Sequence, residues 1–561
     1  MAAPRAIGFR SFRRAVARGG AVTRGGAARR RLAALAWAFV CASAAGSALA
    51  AEAAGAGPAR GRVAFEARRR LESSPGRIQF RYETLEWAAA ETAVIVCDMW
   101  DRHWCRGAER RVAEMAPRAN EFVAKARELG MLIVHAPSDT MRSYAEHPAR
   151  RRALAAPRAP DLPEEIARAC FEIPAERGSE WPIDQSDGGC DCDPPCPQGH
   201  PWTHQASAIE IRDEDAISDS GVEIWNLFAA RGIRNVVLLG VHVNMCVLAR
   251  PFALRNLVRF GKNAVLVRDL TDSMYNSRRR PEVNHFTGTD LVVAHIERCV
   301  CPTVLSTDLT GREPFRFRED ARPRVVIVSS ENEYGAAETL PEFARFLELQ
   351  GGLATEVLQG STAASGPERH RVPGMRALEA ADLVVLFARR RALPAEDMKR
   401  FRDYLGRGKP LIALRTSSHA FSPREPLPEG CESWEAFDRE VLGCRYDGHY
   451  GGGTVVSVAP GASGHPILEG IAGPYRIEES LYRSLDLAGG ARVLLEGRRA
   501  EGADAHPVAW TNGFRGARVF YTSLGSAKAA FPEPWFRRLL ANAVFWALER
   551  PVPERATRGF E

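Results

Sequence analysis

Short runs of consecutive apolar residues alternate along this chain with longer stretches in which apolar positions recur every three or four residues. The runs have no polar face, so they predict strands covered on both sides. The spaced stretches predict helices that lay one face on a sheet. In the first part of the chain the runs fall at 93–97, 131–135, 208–211, 236–241 and 264–268, with helical patterns at 110–129, 222–231 and 247–260. The alternation returns with strands at 324–330, 382–387 and 409–414, helices at 336–350 and 395–405, and a closing helix at 536–546. This pattern predicts an α/β fold class: two doubly wound parallel-sheet domains of the three-layer αβα kind. A chain of 561 residues is too long for a single core, which agrees with two.

Apolar periodicity gives way to charge, Pro and Gly at 305–322, which reads as a linker between domains at 77–304 and 323–549. Residues 51–76, rich in Ala, Gly and Arg, read as a flexible lead-in, and 550–561 as a tail. Residues 1–50 carry nine Arg and no acidic residue, then an apolar run from Leu32 and the small-residue sequence Ala48-Leu49-Ala50. A basic start, an apolar stretch too short to span a bilayer and an Ala-x-Ala site describe a cleavable secretory signal, so the expected location is periplasmic or extracellular. Without those nine arginines the net charge of +7 falls to about −2, which removes the argument for a nucleic-acid partner. The expected partner is a small-molecule substrate, with no stable membrane span after signal cleavage and a homo-oligomer left open.

The stretch Gly240-Val-His-Val-Asn-Met-Cys246-Val follows the apolar run 235–239 and reads as strand, tight turn and helix. Cys246 then sits at a helix N-terminus, where unpaired N–H groups favour a thiolate and can hold an oxyanion. A second apolar run ends on Asp98. In an open parallel sheet the carboxyl ends of the strands share one crevice, so Asp98 and Cys246 can meet as base and nucleophile. His103, just beyond Asp98, is a candidate for orienting a substrate. Most single cysteines are small buried hydrophobes, and that remains the competing reading of Cys246.

These residues resemble the isochorismatase-like cysteine hydrolases, which include nicotinamidases. The family pattern is an Asp closing the first strand, a Lys before a later strand, and a Gly-x-x-Thr-x-x-Cys-Val turn. Asp98, Gly240, Cys246 and Val247 match, with Val243 in place of Thr. Residues 208–219 contain no Lys and offer Arg212 instead. The resemblance implies a hydrolase that cleaves a C–N bond of a small amide through a Cys246 thioester. Asp98 would be the base, Arg212 the cation, and backbone N–H groups of Cys246 and of His242 or Val243 the oxyanion hole, with His242 and Asn244 positioning the substrate. The family metal site lacks its middle His in the stretch His135 to Met141, so no metal and no cofactor are expected. A catalytically inactive binding protein on the same fold is one alternative, and a carbohydrate-related module centred on the C-terminal domain is the other.

Cys190, Cys192 and Cys196, with His200 and His204, make the most unusual local composition of the chain. A zinc site and a disulfide compete there. In an exported protein the disulfide, Cys196 with Cys190 or Cys192, is preferred. The insertion that holds them is a candidate lid over Cys246. The polar stretches 269–276 and 285–290 read as loops open to substrate or subunit contacts, with simple solvation as the default.

In the second domain Arg415 to Phe421 occupies the strand-to-helix turn where amidotransferase-like folds carry a nucleophile, and it has no Cys. Together with Gly448-His449-Tyr-Gly-Gly452, Gly464-His-Pro466, 506–510 and 518–525, it resembles the trehalose-utilisation (ThuA-like) type of class I glutamine amidotransferase-like domain. That resemblance implies a carbohydrate-related or structural module, with His419 and His449 as its site residues.

Overall fold

The computed structural model describes residues 61–74, 77–499 and 504–558. The secretory signal expected at 1–50 lies outside them. Residues 62–74 were expected in a flexible lead-in, but they form a long strand, β1 (Arg62–Ser74), paired antiparallel with β2 (Arg77–Ala88). Alternating Phe65, Ala67 and Val63 are buried on one side of this ribbon, a period of two within a composition that otherwise looks like linker.

The first sheet continues with β3 (Thr92–Cys97), β4 (Leu132–Ala136), β5 (Ala216–Ile217), β6 (Asn235–Val241), β7 (Asn263–Asp272) and β8 (Thr303–Val304), in the order β2-β1-β8-β7-β6-β3-β4-β5. From β8 to β5 the strands run parallel. Every residue of β3 is buried, because helices cover both faces. Ala93, Ile95 and Cys97 pack with Leu227, Phe228 and Leu257, while Val94 and Val96 pack with Met115, Ala119 and Phe122.

Three expectations need correction. Residues 208–211 form a turn, and the edge strand is the later β5; of the apparent alternation only Ile209 is buried. The helix expected at 247–260 is two pieces, Cys246–Ala249 and Leu254–Arg259, broken at Pro251, which has no N–H to continue the ladder. The expected linker at 305–322 is fastened to the first sheet. The Asp269 carboxylate accepts from the N–H groups of Ser306 (2.7 Å) and Phe315 (2.9 Å), Phe317 stacks on Phe286, and Arg322 bonds Asp290 at 2.7 Å.

The second sheet holds β9 (Arg324–Ser330), β10 (Ala354–Gln359) and β11 (Leu383–Ala388), then Leu411–Leu414 and Ala517–Thr522, all parallel. Four antiparallel strands extend it: His506–Phe514, Arg492–Arg498, Thr454–Val458 and Tyr475–Ile477. Val325 and Ile327 face the helices Ala336–Leu349 and Pro534–Ala547, whereas Val326 and Val328 face the helix Ala395–Gly406. Both sheets are thus doubly wound, as the alternation predicts. Among the described residues no helix is long and apolar enough to cross a membrane.

The hairpin joins the two sheets. Phe80 of β2 sits in the core of the second sheet, with Val325 and Leu340. Arg68, buried, donates to Glu297 at 2.8 Å and to Glu356 of β10 at 2.6 Å; Arg70 also reaches Glu297 at 2.8 Å, and Arg268 reaches Glu356 at 3.3 Å. A cavity of about 770 Å³ opens beside this network, lined by Glu66, Arg68, Arg268, Asp308 and Glu356. Burial alone would raise the pKa of Glu297, yet Arg68 and Arg70 hold it down at about 2.

Glu297→Ala would leave Arg70 without a carboxylate and Arg68 with Glu356 alone, and unfolding free energy measured in urea should fall by about 3–5 kcal/mol. Because the folded pKa lies below the unfolded one, the stability contributed by Glu297 is complete above the ordinary Glu range and drains away as pH falls toward 2. An acid titration should show wild type losing this increment and Glu297→Gln, which has no charge to lose, showing no corresponding step.

Candidate active site

β3 and β6 are neighbours, with Cys97 in register with Gly240. Gly240 has φ +113, and a Cβ there would come within 2.0 Å of the Cys97 carbonyl oxygen. The glycine therefore allows the two strand ends, and the residues just past them, to approach. Asp98, at φ 48, turns its side chain into a fully buried position. One carboxylate oxygen accepts from the Ser138 N–H at 2.7 Å, and the other accepts from Arg250 Nε at 3.1 Å. The same carboxylate neighbours the thiol of Cys246 and interacts with it.

Cys246 opens the short helix Cys246–Ala249, and Arg250 follows one turn later on the same side. Arg250 is 28% exposed and also reaches Asp139 at 3.3 Å. Burial pushes the Cys246 thiol well up and the Asp98 charge adds to this, while Arg250 pulls it down. Burial likewise lifts Asp98 above the usual Asp range, although Arg250 and the Ser138 N–H oppose it. The resting pair is a thiol beside a carboxylate, with a fixed cation on the carboxylate.

Within the turn, the N–H of Val243 donates to the Asp272 carbonyl (2.8 Å), that of Met245 to the His242 carbonyl (2.9 Å), and that of Val247 to the same carbonyl (3.2 Å). Val243 is fully buried and its N–H is committed, so it cannot serve as the oxyanion donor anticipated from sequence. The N–H of His242 points to the Cys246 sulfur, and that of Cys246 is bonded to no carbonyl among the described residues. The Val241–His242 peptide is cis.

Arg212 stands outside this arrangement. Its side chain is 46% exposed and pairs with Glu210 at 3.1 Å, while its N–H donates to Asp215. The cation beside Asp98 is Arg250, and the legible signal for it was its position four residues after Cys246. Asn244 is an internal clamp: its amide donates to Gln185 (2.8 Å) and to the Met274 carbonyl (2.9 Å), and accepts from the Met274 N–H (2.9 Å). Both amide hydrogens are spent inside the protein and the side chain is buried, so the expected positioning role does not fit. His242 is buried, with Nε2 unpartnered, and burial holds it well below the ordinary His range.

His103 packs edge-on against His242 at 4.9 Å between ring centres and belongs to an aromatic wall with Trp100, Trp104 and Trp202. Trp100 and Trp202 stack at 4.4 Å, which brings the 184–206 insertion over the strand ends. Burial lowers His103 to about 4, so it is neutral near pH 7. His135 is occupied by Gln205 and Asp215, each at 3.1 Å. The stretches 269–276 and 285–290 are not open loops: Asp272 is buried, bonded to Arg111 at 2.7 Å and to His285 at 2.9 Å. All the described cysteines are free, and the disulfide expected among Cys190, Cys192 and Cys196 is not formed.

At the matching edge of the second sheet, Arg415 (φ 42) occupies the strand-to-helix corner and pairs with buried Glu479 at 2.5 Å. Its guanidinium lies over Tyr334 and Tyr482, at 4.2 and 5.1 Å. His419 packs on Tyr446 at 4.6 Å, and the exposed His449 lies 3.3 Å from the Tyr446 hydroxyl. The two histidines named from sequence therefore share one aromatic group. Burial and neighbouring arginines lower His419 to about 3.

Residues 324–547 match the ThuA family model, described as trehalose utilisation. The matched segment carries the Arg415 edge. No curated protein matches the chain. Among solved structures, a ThuA-like protein from Parabacteroides merdae is 16% identical and covers 41% of this chain and 91% of its own, with a TM-score of 0.31. A cysteine hydrolase from Pseudomonas syringae pv. phaseolicola is 13% identical over 40% of this chain and 93% of its own, TM-score 0.26. An isochorismatase family protein from Burkholderia thailandensis is 11% identical over 40% and 95%, TM-score 0.24.

Replacing Asn244 by Ala strands a buried N–H and a buried carbonyl of Met274. Chemical denaturation should register a loss of about 1–3 kcal/mol. Arg212→Ala, at an exposed pair, should stay within about 0.5 kcal/mol of wild type.

Proposed function

We propose that the first half of this chain is a cysteine hydrolase that opens a C–N bond of a small amide. The observation that carries the reading is the buried Asp98 carboxylate shared between the Cys246 thiol and the Arg250 guanidinium. As the thiol attacks the amide carbon, its proton passes to Asp98 and the C–S bond forms. The negative charge then lies on the carbonyl oxygen, beside the N–H groups of Cys246 and His242. Protonated Asp98 hands its proton to the departing nitrogen, the C–N bond breaks, and a thioester remains. Asp98, again a carboxylate, takes a proton from water as the water attacks the thioester, and returns it to the sulfur.

Arg250 carries out the charge-holding role that sequence reasoning gave to Arg212. Its charge does not vary with pH, so it can neutralise Asp98 at rest and the developing anion later, but it cannot relay a proton. The aromatic wall formed by Trp100, His103 and Trp202 supplies a flat face for a small planar substrate. The reading includes an exported enzyme, because of the presequence.

The test is ammonia or amine release from a panel of small amides. Cys246→Ala should abolish turnover in a folded protein; turnover that survives the change would sink the reading. Arg250→Gln should cost about 10²-fold in kcat, whereas Arg212→Lys should change nothing. The acid limb of kcat/KM should lie above the ordinary Asp range, since activity is lost as Asp98 gains a proton and its folded pKa is raised. In Arg250→Gln that limb should move up by about one unit or more.

A second reading concerns the ThuA half. Tyr334, Tyr446 and Tyr482 around the Arg415–Glu479 pair combine aromatic faces with fixed hydrogen-bonding groups, which suits a sugar. Calorimetric titration of the whole protein with trehalose and related disaccharides should give saturable binding that Tyr446→Ala weakens. Absence of binding to any of them would leave this half without a ligand role.

A further inference from the structure

A second group of reactive side chains lies apart from Cys246. The sulfurs of Cys105, Cys190 and Cys192 all fall within 4.8 Å of one another, with Cys105 and Cys192 at 3.8 Å. Cys196 stands beside this group, outside the set of sulfurs within that distance. Its N–H donates to the Cys190 sulfur at 3.4 Å, and its thiol neighbours those of Cys190 and Cys192. Three of the four come from the 184–206 insertion, and Cys105 comes from the loop that follows β3.

The spacing selects between the two chemistries left open by the sequence. A disulfide needs sulfurs about 2.05 Å apart. A tetrahedral zinc ion with Zn–S bonds of about 2.3 Å holds its sulfurs about 3.8 Å apart along each edge. The Cys105–Cys192 separation fits the second.

The surroundings are those of an anionic cluster. Cys105 is the N-cap of the helix Arg106–Glu128, so the positive end of the helix faces the sulfurs. The N–H of Gly107 donates to the Cys192 sulfur at 3.3 Å, that of Arg106 to Cys196 and that of Ala108 to Cys105. These are N–H groups of the first helical turn, which have no partner inside the helix. The Arg106 guanidinium also bonds Cys192 and Cys196. Gly107 is needed for this approach, since a Cβ there would lie 2.6 Å from an Asp191 oxygen. Asp191 is itself matched by Arg111 at 2.8 Å.

We propose that Cys105, Cys190, Cys192 and Cys196 bind one zinc ion as a closed tetrathiolate site that pins the 184–206 insertion to the loop carrying His103 and Trp104. Zinc displaces the four thiol protons to solvent and leaves a cluster of charge −2, which Arg106 and the helix N-terminus offset. With four protein ligands no position is open for water, so the role is structural. The ion acts on the candidate active site through position: it holds Trp202 against Trp100 and fixes the wall beside His103.

The test is metal analysis of the whole chain purified without chelator. One zinc per chain is expected, lost in Cys192→Ser and in Cys196→Ser and retained in Cys431→Ser, which lies in the other half. Cobalt(II) in its place should give the ligand-field and sulfur charge-transfer bands of a tetrahedral thiolate site. Zinc removal should raise amide hydrogen exchange across 184–206 and leave the second sheet unchanged. Should a variant fail to fold, a mercurial titration of wild type decides the matter: zinc released in step with four thiols supports the site. Three outcomes would overturn it: no stoichiometric metal even after zinc is added, iron in place of zinc, or a disulfide among these four found by non-reducing peptide mapping.

Discussion

A carboxylate with no exposure to solvent is costly unless its charge is matched, and Asp98 meets that condition at the point where three segments join. Its partners come from separate parts of the chain: Ser138 after β4, and Arg250 and Cys246 after β6. Each of these segments is brought to the same edge by the parallel sheet, and each is held there in part by its bond to the carboxylate. The charge of Asp98 is thus both the chemical centre of the site and a constraint on how β3, β4 and β6 end. The approach also depends on Gly240, because any side chain there would collide with the Cys97 carbonyl.

Much of this was readable from the sequence. Runs without a polar face, such as Val94 to Cys97 and Val236 to Val241, have one stable environment, and the doubly wound sheets follow from them. Asp98 and Cys246 were legible because strand ends in such sheets converge. The family spacing points to Arg212, so Arg250 is legible only through its i, i+4 relation to Cys246. The commitment of Val243 and Asn244 to internal bonds was not visible either: Asp272 and Met274, which they hold, are about 30 residues away in sequence. The hairpin was missed because Arg- and Glu-rich strands resemble linkers until their partners, Glu297 and Glu356, are known.

The 184–206 insertion ties the site together in a different way. It has almost no regular secondary structure, yet it contacts the turn through Gln185, the helix Arg106–Glu128 through Asp191, and Trp100 through Trp202. A segment of this kind buries little apolar area of its own, so its order rests on polar and sulfur contacts at a few points. That makes the shape of the wall beside His242 a property of the insertion rather than of the sheet.

The hairpin at the junction has a consequence for synthesis on the ribosome. Arg68 and Glu356 are 288 residues apart. At about 5–20 residues per second, the strand that carries Arg68 emerges roughly 15–60 s before its second carboxylate exists. During that interval the first sheet can close around β1, and Glu297 can take one of the two roles, but Phe80 has no core to enter. The nascent first half therefore waits with an apolar side chain and a partly matched arginine facing outward, on the surface that the second half is later built against. Translation order makes the first half the template and the second half the piece that completes it.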